Sequence, residues 1–454
     1  MTATLAWSAL LAGRVPEDGS AAAMEGAAFP SPAAAPPGWL LLMPEAACCA
    51  GCRPDPESAV EVLLRPGAPR PRGRIRVEGT WRRLPASDRA GWRWQMRDAR
   101  AIALGGPWLR RRAVLAAPLI CAAPRAVRAQ PLGHIAAMDL HSHAGRVIHW
   151  RTQPDRPFEP LALPMREGGM HLVSLAIVPD SPVTRIAGQR IESFRDPAPG
   201  ELWAHAQAAF ARLRRLVAQD GLRIVTDRSS LQQATLPAAV PAILVAAEGA
   251  DFLEGQLDRL EWAFREQRLR HLQLTHYRVN ELGDIQTATP VHEGLTRFGE
   301  EVVRTCNRLG IVVDVAHATL PMVQRAAAVS RHPLVLSHTS LSRQPGPRSR
   351  SISQEHGRVI AETGGVVGVW PLVGPSPTKR LYAESVARMV DAIGIDHVGI
   401  GSDMQGLLGP AAFESYSQLP ALTEALQSCG FDPDGMEKLL GGNFRRVLNA
   451  VLPG

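Results

Sequence analysis

Aromatic residues are scarce in this chain: Phe, Trp and Tyr make up 5% of 454 residues, and only three are tyrosine. Lysine is rarer still, with Lys379 and Lys438 alone. Set beside abundant Ala, Gly, Pro and Arg, this reads as the coding bias of a GC-rich genome rather than as a functional signal. No apolar run reaches the ~20 residues a membrane helix needs, so a transmembrane segment is not expected. A nucleic-acid-binding motif is also lacking. The formal charge of +7 belongs to the N-terminal part, because residues 1–130 hold 18 Arg against 10 acids and the remainder holds 32 basic and 33 acidic residues. A basic stripe carrying a recognition motif would be needed to argue for nucleic acid, and neither is there.

Cysteine is sparse too: Cys48, Cys49, Cys52, Cys121, Cys306 and Cys429. Cys49 and Cys52 have CxxC spacing, but no second pair follows, so a structural zinc site would lack half its ligands. A local disulfide would require export. Cys306 and Cys429 fall in helical patterns and are expected in the core.

What is present changes character along the chain. Residues 1–38, rich in Ala, Pro and Gly, are expected to be poorly ordered. Residues 39–105 hold short strand-like runs (Val60–Leu64, Ile75–Glu78, Trp92–Met96) separated by turn residues, which suggests a small β-rich region of unassigned role. Residues 106–130 form an export-signal-like or linker segment: Arg110, Arg111 and Arg112 precede AVLAAPLICAA and an A-x-A-like end. The pattern resembles a twin-arginine signal and suggests a periplasmic or exported protein. Read as a linker, it leaves the cytoplasm.

From residue 131 to 454 apolar runs of five to seven residues alternate with helical stretches. The expected strands are Ile135–His141, His171–Val178, Ala242–Glu248, His271–His276, Ile311–His317, Leu334–His338, Val366–Trp370 and Val398–Asp403. Helical periodicity covers Glu201–Ala218, Phe252–Gln267, Arg297–Leu309, Ser353–Glu362 and Leu381–Ile393. Eight strands with intervening helices point to an α/β fold, a (β/α)8 TIM barrel of the metal-dependent hydrolase type, preceded by the small N-terminal region.

Seven polar residues close these apolar runs: His141, His143, Glu248, His276, His317, His338 and Asp403. In a parallel barrel, such endings converge at one mouth. His141 and His143 are two apart, so in a strand they share a face and can reach one metal. Glu248 ends AILVAAE, where a buried carboxylate needs a cation or several hydrogen bonds. His317 and His338 end consecutive strands and form a second candidate pair. His276 could ligate a metal or hydrogen-bond a substrate carbonyl, and Asp403 could ligate or move protons. Asp139 is expected to fix the loop beside His141, and Asp314 to pair structurally. His134, His149, His271, His292, His356 and His397 read as surface or structural. The constellation implies metal-assisted hydrolysis.

Several stretches carry a family resemblance: EGADFLEGQLDRLEWAFREQRLRHLQLTHYRVNELGD, GLTRFGEEVVRTCNRLGIVVDVAH, LVLSHTS, HVGIGSD and GGNFRRVL. Over roughly residues 135–450 the chain resembles the membrane dipeptidase (renal dipeptidase) family of zinc metallopeptidases. The resemblance implies two Zn²⁺ per chain, with His141 and residue 143 on one ion, His317 and His338 on the other, and Glu248 bridging. It implies that His276 stabilises the oxyanion, that Asp403 carries the proton from a metal-bridging hydroxide to the leaving amine, and that Arg350 binds the carboxylate of a small peptide substrate. A homodimer is compatible with it. One departure stands out. The family has H-x-D at the first strand, whereas this chain has His141-Ser142-His143, which removes a negative charge. This loosens the inference to dipeptides, so two other readings stay open. One is an amidohydrolase acting on a lactone, cyclic amide or N-acyl amino acid; the other is a non-catalytic metal-binding member.

Overall fold

The computed structural model describes residues 4–5, 10, 15–29, 39–43, 60–65, 68, 73–84, 94–103, 135–149, 156–188, 190–342, 344–346, 348–374 and 376–454. The chain divides into two compact units, Met1–Ala126 and Val127–Gly454. Cys48, Cys49, Cys52 and Cys121, His134 and the export-like segment lie outside the described residues.

The N-terminal unit is a six-stranded sheet of β1 (Thr4–Leu5), β2 (Ala21–Phe29), β3 (Trp39–Met43), β4 (Val60–Leu64), β5 (Gly73–Arg83) and β6 (Trp94–Ala103). The order is β1-β2-β3-β4-β6-β5, and β5 also pairs with β2, closing five strands into a ring. Met24, Leu42, Val60, Val62, Ile75, Val77, Trp81 and Met96 fill its interior. Strand β4 alternates buried and half-buried positions, the period-two pattern of a sheet with one covered face. Poor order was expected over residues 1–38, yet Ala21–Phe29 forms a nine-residue strand. Its Ala-rich composition hid the signal, because small residues carry little strand propensity and pairing with β5 and β3 supplies what propensity does not.

The second unit is the expected barrel. Strands β7 (Ala137–Ser142), β8 (Met170–Ile177), β12 (Ala242–Glu248), β13 (Leu269–Gln273), β14 (Val312–Asp314), β15 (Val335–Thr339), β16 (Val366–Val369) and β17 (Val398–Ile400) are all parallel, and β17 pairs with β7 to close the ring. Two features among the strands were not foreseen: the hairpin β9–β10 (Thr184–Ala187, Arg190–Ser193) and the short β11 (Arg223–Ile224) beside β12. Every residue of β12 is buried, as a parallel strand covered on both sides should be.

Three of the helices begin where a side chain satisfies a free backbone amide. Thr296, Ser353 and Thr378 accept from the amides of Gly299, His356 and Leu381 at the starts of Arg297–Leu309, Gln354–Glu362 and Lys379–Ile393. Gly310, at φ +76°, ends the first of these in the left-handed conformation. The 20-residue helix Glu201–Asp220 buries Leu202, Ala206, Ala209, Phe210, Leu213, Leu216 and Val217 on one stripe against the barrel. Cys306 is a buried free thiol, and Cys429 is free and half-buried. Among the described residues, no helix is long and apolar enough to cross a membrane.

Candidate metal centre

The seven residues singled out from the sequence do converge. His141 lies in β7, His143 directly follows it, Glu248 ends β12 and His338 lies in β15. His276, His317 and Asp403 do not end strands: β13, β14 and β17 stop at Gln273, Asp314 and Ile400. Two of them, His317 (φ +68°) and Asp403 (φ +46°), sit in the left-handed region. A residue in that conformation cannot continue a strand, so the chain turns there and brings the side chain over the mouth. Such backbone is costly for a non-glycine residue and persists only where the surroundings enforce it.

Glu248 is the hub. Its Oε1 lies 3.5 Å from His141 Nε2, 3.3 Å from His317 Nε2 and 3.4 Å from His338 Nε2. Its Oε2 lies 3.0 Å from His143 Nε2 and 3.3 Å from His276 Nε2. Asp403 Oδ1 stands 3.5 Å from His143 Nε2 and 4.0 Å from His141 Nε2. Three overlapping groups have ligand atoms close enough to hold a cation: His141, His143 and Glu248; Glu248, His317 and His338; and His141, His338 and Asp403.

The donor chemistry fits metal ions. The Nε2 atoms of His141 and His143 are 3.2 Å apart, and those of His317 and His338 are 3.1 Å apart. His143 Nδ1 lies 2.9 Å from the Ala176 carbonyl, which can only accept, so Nδ1 carries the proton and Nε2 presents a lone pair in the neutral ring. All four imidazoles are almost fully buried. Burial, followed by neighbouring positive charge, holds the pKa values of His317 and His338 well below normal, which keeps both rings neutral. Crowded, buried imidazole nitrogens around one carboxylate are what cations satisfy and water does not.

His276 differs from the ligand histidines. Its Nδ1 is 2.8 Å from Asp180 Oδ1, and Asp180 Oδ2 accepts from the amide of Tyr277 at 3.1 Å. Burial opposes charge on this ring, but Asp180 and Glu248 outweigh it and raise the pKa to about 9. Protonated, the ring is a donor whose Nε2 faces Glu248 at the centre. Burial opposes ionisation of Glu248 too, yet His276 and the other imidazoles hold it well below the carboxylate range. Burial, then the charge of Glu248, pushes Asp403 up to about 7.

Arg350 reaches the site and Arg348 is exposed. Arg350 Nη1 donates to Gln286 Oε1 at 2.8 Å, and its guanidinium stands 5.4 Å from the Trp370 ring centroid. Its Nε is buried without a hydrogen-bond partner, and Nη2 donates to the His338 carbonyl at 3.5 Å.

Two buried carboxylates fix the ligand-bearing segments. Asp139 Oδ1 accepts from the amides of His141 (3.2 Å) and Ser402 (2.9 Å), and Tyr416 donates to Oδ2 at 2.8 Å. Asp314 Oδ1 accepts from the amides of Ala316 (2.9 Å) and Ser337 (3.0 Å), and His271 Nε2 lies 3.1 Å from Oδ2. Each carboxylate ties together two neighbouring segments just before a candidate ligand or proton carrier. Asp180, Gln286, Trp370, Tyr416 and Gly406 went unnoticed in the sequence, since each is an ordinary residue whose partner is remote. Gly406 is needed because a Cβ there would meet Asp403 Oδ1 at 2.1 Å.

Comparison with known proteins follows the same lines. Dipeptidase aclJ of Aspergillus oryzae is 31% identical over 46% of this chain and 51% of its own length. Dipeptidase 3 of Mus musculus is 32% identical over 46% of this chain and 44% of its own. The chain thus spans about half the length of the curated relatives it matches. Among solved structures, a metallo peptidase from Rhodobacter sphaeroides, liganded with a phosphinate mimic of the dipeptide L-Ala-D-Ala, has the same fold. Its TM-score is 0.58 at 23% identity, covering 70% of this chain and 99% of that one. The model of the membrane dipeptidase family (Peptidase family M19) matches residues 203–452, more than half of the chain, and the chain belongs to that family.

Proposed function

We propose that this protein is a zinc-dependent dipeptidase that hydrolyses the peptide bond of short substrates with a free C-terminal carboxylate. The observation that carries the reading is the convergence of His141, His143, His317 and His338 on the two oxygens of Glu248. His141, His143 and Glu248 would hold one ion, and Glu248, His317 and His338 the other. When bound, two zinc ions supply Lewis acidity to water and to the scissile carbonyl.

The chain's own residues do the rest. Arg350, whose Nε lacks a partner, grips the substrate carboxylate, a contact that favours the planar guanidinium. His276, held by Asp180, donates from Nε2 to the oxygen that becomes negative in the transition state. Asp403 takes a proton from the attacking water and returns it to the leaving amine. His143 in place of the family's aspartate leaves one carboxylate fewer, and imidazole remains a good zinc ligand.

The test is elemental analysis and dipeptide hydrolysis on one purified sample of the full chain. Close to two zinc per chain with cleavage of simple dipeptides supports the reading. Metal-loaded protein that cleaves none of them, but opens a lactone or cyclic amide, would favour the amidohydrolase alternative.

A further inference from the structure

Beside the metal centre, on the His143 side, lies a cavity of about 330 Å³ lined by His143, Arg146, Ile148, Arg156, Glu159 and Gln405. None of these except His143 takes part in the chemistry above. We propose that this cavity binds an acidic side chain on the substrate residue N-terminal to the scissile bond. The inference rests on the dipeptidase reading and names its substrate class.

Position comes first. The lining residues follow β7 and, for Gln405, β17, whereas Arg350 follows β15 and its partner Gln286 follows β13. In the closed ring, β7 and β17 are neighbours, and the β13–β15 segment lies across the mouth from them. A substrate with its carboxylate at Arg350 and its carbonyl at the Glu248 cluster therefore extends its N-terminal residue toward the cavity.

Charge comes second. Glu159 is already engaged, by an ion pair with Arg146 and by the side-chain amide of Gln405. The Arg156 guanidinium has no hydrogen bond or ion pair among the described residues. Among the described residues, the wall thus carries one uncompensated cation. A basic side chain would meet it unpaired, while a carboxylate would gain a charge-assisted contact.

Preorganisation comes third. Arg212, almost fully buried, donates from Nη2 to the carbonyls of Arg146 (2.8 Å) and Arg156 (2.6 Å). Gln405 Oε1 accepts from the Arg146 amide at 2.7 Å. Arg146 and Gln405 both hold left-handed backbone, at φ +56° and +65°. The backbone of Arg156 is thereby anchored beside the cavity before substrate arrives, which lowers the cost of engaging its guanidinium.

The experiment compares kcat/KM of the zinc-loaded full chain for Glu-Ala, Gln-Ala, Ala-Ala and Lys-Ala. Glu-Ala is expected to exceed the near-isosteric Gln-Ala by about tenfold or more, the scale of a charge-assisted contact. In Arg156→Gln the Glu-Ala to Gln-Ala ratio should fall to about one, and in Arg156→Glu the Glu-Ala to Lys-Ala preference should invert. Ratios within each variant cancel any general loss from altered folding. Equal wild-type rates on Glu-Ala and Gln-Ala, or a ratio untouched by Arg156→Gln, would overturn the proposal while leaving the dipeptidase reading intact. Failure of the metal-loaded chain to cleave any of the four would overturn both.

Discussion

Glu248 shows what a single side chain does here: its two oxygens face five imidazoles at 3.0 to 3.5 Å. Isolated in that setting it would be an intolerable buried charge; the surrounding histidines stabilise it, and it is placed where two cations would share it. The division of labour around it can be tested by separating metal binding from turnover. Asp403→Asn should keep both ions and lose about 10²- to 10⁴-fold in kcat, the usual worth of a positioned proton carrier; metal analysis and steady-state kinetics on one preparation check this. His143→Ala should instead drop metal content from two to about one per chain. The ligand candidates were legible in the sequence because a His or an acid at the end of an apolar run is conspicuous. Of the residues that orient them, Asp139 and Asp314 also stood out, whereas Asp180 and Trp370 did not, because they acquire meaning only when strands far apart in sequence become neighbours.

At the scale of elements, the strands were readable from uninterrupted apolar runs and the long helices from their periodicity and caps. Short pieces were missed for physical reasons. Leu320–Val329 is alanine-rich and weakly amphipathic, Arg228–Ala234 spans seven residues, and the β9–β10 hairpin is largely exposed. The same strand ends explain why Asp139 and Asp314 are buried. Asp314→Ala would strand the Ala316 and Ser337 amides and His271 Nε2 without an acceptor. It should cost about 3–5 kcal/mol, as removal of one partner from a buried charged network does; urea unfolding at neutral pH would measure it. Asp284 makes a related link, accepting from the amides of Val291 (2.6 Å), His292 (3.0 Å) and Gly294 (2.8 Å). Burial raises its pKa, but these bonds outweigh burial and hold it below the usual aspartate value. A depressed folded-state pKa gives stabilisation that is complete above the unfolded value, about pH 4, and is lost as pH falls through the folded value. Asp284→Asn should therefore flatten the acid limb of the stability profile below about pH 4, read as melting temperature against pH.

The whole molecule couples the centre to stability, because ligands from β7, β12 and β15 and from the loops after β14 and β17 join one cluster. Cations that bind the assembled site and not the open chain stabilise it by mass action, by about 2.7 kcal/mol at one hundred times the dissociation constant. Removing metal with a chelator should therefore lower the melting temperature, and zinc should restore it; an unchanged transition would mean that the cluster does not hold metal. The closure of the ring also has a consequence in time. Asp139 accepts from the amide of Ser402, 263 positions later, and the β7–β17 pairing cannot form until that part of the chain exists. Parallel pairing over such a separation is slow. At about 5–20 residues per second, synthesis leaves roughly 13–50 s between the first of these segments and the last. During that interval a ribosome displays His141 and His143 without their partners across the mouth. Metal uptake by the five candidate ligands would have to wait for His338, the last of them to be made, and closure of the ring waits longer still, for β17.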